Sequence, residues 1–207
     1  MRLGIYGGRF DPPHNGHLIL AAEALDQLRL DKVIWTVTGD PPHKQDCALS
    51  PVEIRVQLTH AALADNPAFE LSRVEIDRPG PHYSVDTVRI LREQFPNDEL
   101  YYLIGGDSLR DMTTWRTPEE LTRLVTGFGV MHRPVVVFDL ASLEREIPGL
   151  TAKVRFIQSP LVEISASMIR QRVAMGQPYR YFVPTAVYNL IEGLGIYRVP
   201  AFFEPEV

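Results

Sequence analysis

The chain has 207 residues, 45% of them hydrophobic, a formal net charge of −5 and one cysteine, Cys47. That is enough apolar material for one good core, so a single domain over residues 1–207 is expected. The acidic balance argues against a general nucleic-acid surface, and the lone cysteine excludes an internal disulfide and points to a reducing compartment. No apolar run approaches the ~20 residues needed to span a bilayer, and the first residues read as a strand, not a signal peptide. A cytoplasmic protein with no membrane and no nucleic-acid partner is expected.

Strand-like runs are predicted at residues 2–6, 32–38, 69–74, 99–104, 125–131 and 153–158, with helix-like runs between them. This alternation predicts an α/β fold, a single Rossmann-like domain whose mostly parallel, doubly wound sheet is flanked by helices. Ligands of such sheets bind at the carboxyl ends of strands, near the switch point. No repeat, low-complexity stretch or linker is apparent.

The first strand runs into Gly7-Gly8-Arg9-Phe10-Asp11-Pro12-Pro13-His14-Asn15-Gly16-His17, followed by helical periodicity over 18–28. Two glycines delivered by a strand to a helix start let backbone N–H groups approach a phosphate, and either can take φ > 0. Pro12 and Pro13 stiffen the turn. His14 falls at the helix start and His17 one turn in, so both rings share a face and can point at one ligand. The unpaired N–H groups of the first turn favour an anion there. Taken singly, each element is an ordinary turn or a surface histidine pair; together they predict a polyphosphate pocket. A Walker loop and a His-Glu-x-x-His peptidase motif are both absent from the sequence.

After the second strand comes Pro41-Pro42-His43-Lys44, a stiff loop with two groups that are or can become cationic, which taken alone reads better as an ordinary solvated loop. Residues 39–50 are the longest irregular stretch and a candidate lid. Ser50-Pro51-Val52-Glu53 reads as a capping box. Before the helix predicted at 87–95, Ser84 or Asp86 is placed to cap it. The fourth strand ends at Gly105-Gly106-Asp107, where glycines let a ligand approach the backbone and Asp107 can accept from ribose hydroxyls. Trp115, between Thr114 and Arg116, precedes a helix start at Thr117-Pro118-Glu119-Glu120 with Pro in its first position. Near the end, Ser165, Ser167 and Arg170 put two hydroxyls and a cation at another helix start, a second anion end.

The run from Gly7 to His17 resembles the signature of the nucleotidylyltransferase superfamily: a glycine pair, Phe-Asp/Asn-Pro, then His-x-Gly-His. Within it the chain is most similar to the bacterial nicotinate mononucleotide adenylyltransferases. The loop at 41–44, the segment Tyr83-Ser84-Val85-Asp86-Thr87, the run Gly105-Gly106-Asp107 with Trp115, and Ile164-Ser165-Ala166-Ser167-Met168-Ile169-Arg170 carry the narrower match. The resemblance implies transfer of AMP from ATP to nicotinate mononucleotide, with His14 and His17 steadying the phosphates of the transition state. It implies ATP contacts from Gly7, Gly8, Arg9, Phe10, Gly105, Asp107, Ser165, Ser167 and Arg170. It assigns the mononucleotide to His43, Lys44, Ser84, Trp115 and Arg116, Ser84 meeting the pyridine carboxylate and Trp115 stacking on the ring. Mg²⁺ is expected to arrive with ATP, because the sequence offers no dedicated carboxylate cage, and a homo-oligomer is compatible. Arg9, His82 and Ala166 depart from the residues usual in that family. Another adenylyl- or cytidylyltransferase of the superfamily, such as one acting on phosphopantetheine or on nicotinamide mononucleotide, and a nucleotide-binding module without turnover stay open as alternatives.

Overall fold

A computed structural model describes residues 1–39, 49–131 and 139–198. Its strands are β1 (Arg2–Gly8), β2 (Lys32–Val37), β3 (Phe69–Ser72), β4 (Glu99–Gly105), β5 (Gly127–Met131) and β6 (Val154–Ile157). The helices between and after them are α1 (Asn15–Gln27), α2 (Val52–Leu63), α3 (Ser84–Gln94), α4 (Gly106–Arg110), α5 (Pro118–Leu124), α6 (Leu140–Glu146), α7 (Leu150–Lys153), α8 (Ala166–Ala174) and α9 (Thr185–Leu194).

All strand pairs are parallel, in the order β3-β2-β1-β4-β5-β6. The chain winds outward from β1 to β3, then crosses to β4 on the other side of β1. The switch point therefore lies between β1 and β4, where a doubly wound sheet opens a crevice.

Period-2 alternation divides the core between the two faces of the sheet. Tyr6, Val33, Trp35, Tyr101 and Leu103 face one buried cluster, covered by α1, α2, α8 and α9. Leu3, Ile5, Ile34, Leu100, Tyr102 and Phe128 face the other, covered by α3, α5 and α6. Both faces are buried under helices, which is why the strands read as nearly continuous apolar runs.

The expected elements all form, with shifted ends. β1 continues through both glycines, which pair with Thr36 and Val37 of β2. Neither glycine takes positive φ; the left-handed residue of the turn is Phe10, at φ 47°. A side chain at Gly8 would lie 2.8 Å from the Phe10 ring, so the absence of Cβ makes room for that ring. α1 begins at Asn15, with His14 as its N-cap. Two expected caps do not form. The N-cap of α2 is Pro51, while the Ser50 N–H donates to Asp11 and Glu53 binds Arg73 instead of closing a box. α3 starts three residues early, behind Tyr83, so Ser84 and Asp86 sit inside its first turn and cap nothing; Asp86 pairs with Arg89.

Candidate active site

The histidines occupy the first turn of α1 because the proline-stiffened turn delivers the chain there. His14 is 6% exposed. Its backbone N–H donates to Nδ1 of His17 at 3.1 Å. That bond makes Nδ1 an acceptor, so the neutral His17 ring carries its proton on Nε2. The two rings stack with centroids 3.6 Å apart and planes at 23°. Phe10 and Tyr6 stand edge-on to His17 at 5.1 and 6.2 Å. The ring is thus oriented from three sides.

These histidines line a cleft of about 1020 Å³ at the carboxyl ends of β1, β4 and β5. Across it stands the start of α8, where Ser165 Oγ accepts from the N–H of Met168 at 3.2 Å and lies 3.1 Å from Ser167 Oγ. Arg170 lies one turn further along and donates to the Asp11 carbonyl at 2.6 Å. Arg9 and Phe10 line the same cleft. At its β4 side a side chain on Gly105 would meet nothing within 4 Å, which leaves the strand end open to a ligand. Asp107 stands there with its carboxylate half-exposed, 3.4 Å from Arg110, which also lines the cleft. The cleft thus combines a helix N-terminus at each wall with His14, His17, Arg9, Arg110 and Arg170, and suits an extended anion.

Of the residues expected to contact ATP, Gly7 and Gly8 do not line this cleft: they are paired within the sheet. Ser84, Trp115 and Arg116 are not in it either. Ser84 and Trp115 instead meet at Tyr102, on the other face of β4. The Tyr102 hydroxyl donates to Ser84 Oγ at 2.9 Å, and Trp115 stands edge-on to the Tyr102 ring at 6.2 Å. A Cβ on Gly7 would lie 3.3 Å from both the Tyr102 and the Thr36 hydroxyls, so this glycine belongs to the Ser84 side. Arg116 lies 4.6 Å over the Tyr83 ring. His43 and Lys44, with most of the segment 39–50, lie outside the described residues.

Two groups escape sequence reasoning. Arg55, 1% exposed, donates to the carbonyls of Ser50, Arg9, Thr38 and Gly39 at 2.7–3.2 Å. Burial pulls its guanidinium below the usual range, and the nearby Asp11 carboxylate works against that. Asp11 accepts from Ser50 N–H and from the Tyr197 hydroxyl at 2.6 Å. Burial and that hydroxyl's bond to Asp11 push the Tyr197 phenol up. The signal for Arg55 was present: it shares a helical stripe with Leu58, Thr59, Ala62 and Leu63, all buried. The second group is Tyr102 itself, which reads as one more apolar strand residue.

Among the described residues no three His, Cys, Asp or Glu side chains converge as a metal site, and no helix is long and apolar enough to cross a membrane.

Residues 5–172 match the family model described as cytidylyltransferase-like. A "Probable nicotinate-nucleotide adenylyltransferase" of Thermus thermophilus is 43% identical over 198 residues, covering 96% of this chain and 100% of that one. The Thermomicrobium roseum protein of the same description is 41% identical over 197 residues, covering 95% and 92%. In three dimensions the chain is similar to the Plasmodium falciparum nicotinic acid mononucleotide adenylyltransferase complexed with NaAD, with a TM-score of 0.77 at 18% identity, over 95% of this chain and 97% of that one. At that identity the likeness concerns the fold alone. With a family model spanning most of the chain and relatives above 40% identity along nearly all of it, the chain belongs to the cytidylyltransferase-like family and, within it, to the nicotinate-nucleotide adenylyltransferases.

Proposed function

We propose that this enzyme transfers the adenylyl group of ATP to the phosphate of nicotinate mononucleotide, forming nicotinate adenine dinucleotide and pyrophosphate, a step of NAD biosynthesis. The observation that carries this reading is the identity of 41–43% along nearly the whole chain to relatives of that description, in a chain whose His14 and His17 line a cationic cleft.

A phosphate oxygen of the mononucleotide attacks the α-phosphorus of ATP in line. The bond from that phosphorus to the bridging oxygen of the β-phosphate breaks, and pyrophosphate carries away the electron pair. The substrate supplies its own nucleophile, so the chain contributes position and charge stabilisation. His17 Nε2–H, held in its tautomer by the His14 N–H, donates to a phosphate oxygen on which charge builds, and His14 acts beside it. Arg170, Arg9 and the hydroxyls of Ser165 and Ser167 hold the departing pyrophosphate side. Asp107 accepts from the adenosine ribose, and Gly105 leaves room for it. Ser84 and Trp115 take the nicotinate ring, with Arg116, His43 and Lys44 at the mononucleotide. The donor set in the cleft suits phosphates and offers no carboxylate cluster among the described residues, so Mg²⁺ would come bound to ATP and would supply neutralisation of the phosphate charge.

Pyrophosphate release measured with Mg·ATP and nicotinate mononucleotide tests the reading. Turnover that needs both substrates supports it; release with neither mononucleotide, acid or amide, overturns it.

A further inference from the structure

We infer that Tyr102 is a specificity-determining positioning residue: by donating to Ser84 Oγ its hydroxyl turns the Ser84 O–H outward as a hydrogen-bond donor, and so favours a pyridine carboxylate over a carboxamide. The inference rests on the proposed adenylyl transfer to a pyridine mononucleotide, and concerns a residue that no motif in the sequence marks.

Tyr102 is 6% exposed, and its hydroxyl is wedged at the carboxyl ends of β1 and β2, beside Gly7 and Thr36. A buried phenol keeps one proton and needs one acceptor for it. Among the described residues the hydroxyl has a single bonded partner, Ser84 Oγ at 2.9 Å. The acidic group nearest to it in effect, Glu75, accepts from Thr87 through Oε1 at 2.7 Å, and its Oε2 is buried without a hydrogen bond among the described residues, so neither oxygen takes the Tyr102 proton. The Tyr102 proton therefore goes to Ser84. Burial pushes the phenol up, so it stays protonated at any working pH.

A serine oxygen that has accepted this proton turns its own O–H elsewhere. Ser84 is half-buried at the first position of α3, and among the described residues its hydroxyl has no acceptor. The backbone N–H groups of Ser84 and Val85, in the same first turn, have no partner there either. The helix end thus offers one O–H and two N–H groups. A carboxylate presents two acceptor oxygens to such a rim. A carboxamide presents one oxygen and an NH₂ that meets donors and leaves them unpaired. Without the Tyr102 hydroxyl, the Ser84 O–H is free to turn inward and leave its oxygen facing the NH₂, and the discrimination weakens.

The test is the ratio of kcat/KM for nicotinate over nicotinamide mononucleotide at saturating Mg·ATP, in wild type, Tyr102→Phe, Ser84→Ala and the double variant. Tyr102→Phe removes one oxygen and keeps the ring against Trp115. It is expected to lower the ratio by roughly tenfold, within the range set by one uncompensated hydrogen bond, with the KM for ATP unchanged. Ser84→Ala is expected to lower the ratio too, and in that background Tyr102→Phe is expected to add no more than about a twofold change, because the two act as one unit. An unchanged ratio in Tyr102→Phe overturns the assignment, as does an equal effect of Tyr102→Phe with and without Ser84. Should Tyr102→Phe fail to fold, an unchanged ratio in Ser84→Ala overturns it alone. Wild-type enzyme that uses neither mononucleotide overturns the adenylyl-transfer reading itself, an outcome separate from an active wild type with an unmoved ratio.

Discussion

The backbone N–H of His14, one turn back, donates to His17 Nδ1 and so sets its tautomer. Replacing His17 by alanine removes a preorganised donor to developing charge, which typically costs ~10²–10³ in rate. Steady-state kinetics of His17→Ala are expected to show a loss of that order in kcat, with thermal unfolding close to wild type; His14→Ala is expected to be at least as damaging. Near-normal activity in either folded variant would remove the assigned roles. Trp115 is half-buried, packs against the core cluster and stands edge-on to Tyr102, the residue that bonds Ser84. Trp115→Ala is expected to raise the KM for the mononucleotide well beyond that for ATP, base stacking on an aromatic ring contributing ~1–3 kcal/mol in other systems. Equal increases in both would make Trp115 a packing residue only.

α2 contributes through one side chain. Arg55 holds the carbonyl of Arg9 in the phosphate turn and the carbonyls that follow β2, so helix, turn and strand end form one unit. Arg55→Ala removes the donor to four part-buried carbonyls and the positive charge that faces Asp11 through space. Breaking such a buried charge network costs about 3–5 kcal/mol, and urea unfolding is expected to show a loss of that size. Arg55→Lys, which keeps the charge and loses the planar fork, is expected to fall between. A variant as stable as wild type would mean that water replaces the guanidinium. The elements themselves were largely legible. All six strands stand within two residues of their predicted ends, because buried parallel strands are apolar runs bounded by turn residues. The helix starts were less so. Ser84 and the Ser50–Glu53 pattern have cap chemistry, yet their side chains are claimed by Tyr102 and Arg73, partners distant in sequence that local rules cannot see.

Glu75 is a property of the whole molecule, a carboxyl enclosed where the end of β3, α3 and the end of β2 meet. Burial, only partly offset by the Thr87 bond, raises its pKa from the unfolded value of 4.5. The folded state therefore binds more protons than the unfolded state above pH 4.5, and stability from this group is lost as pH rises through the folded value. Glu75→Gln removes that dependence. Thermal melts from pH 4.5 toward neutral are expected to shift progressively in favour of the variant relative to wild type; a difference independent of pH would refute the linkage. The lowered carboxylates Glu53, Glu144 and Asp111 act in the opposite sense and in a lower window, so they do not mask it. Sequence alone determined the α/β alternation, the parallel sheet and the pairing of His14 with His17 on one helix turn, since these depend on spacing within a few residues. Only the tertiary structure decided that Gly7 faces Tyr102 and not the large cleft, that Ser84 and Trp115 share that tyrosine, and that Arg55 ties the phosphate turn to β2. Each of these joins residues far apart in the chain through hydrogen bonds or close approaches, and such contacts exist only once the sheet order brings the strand ends together.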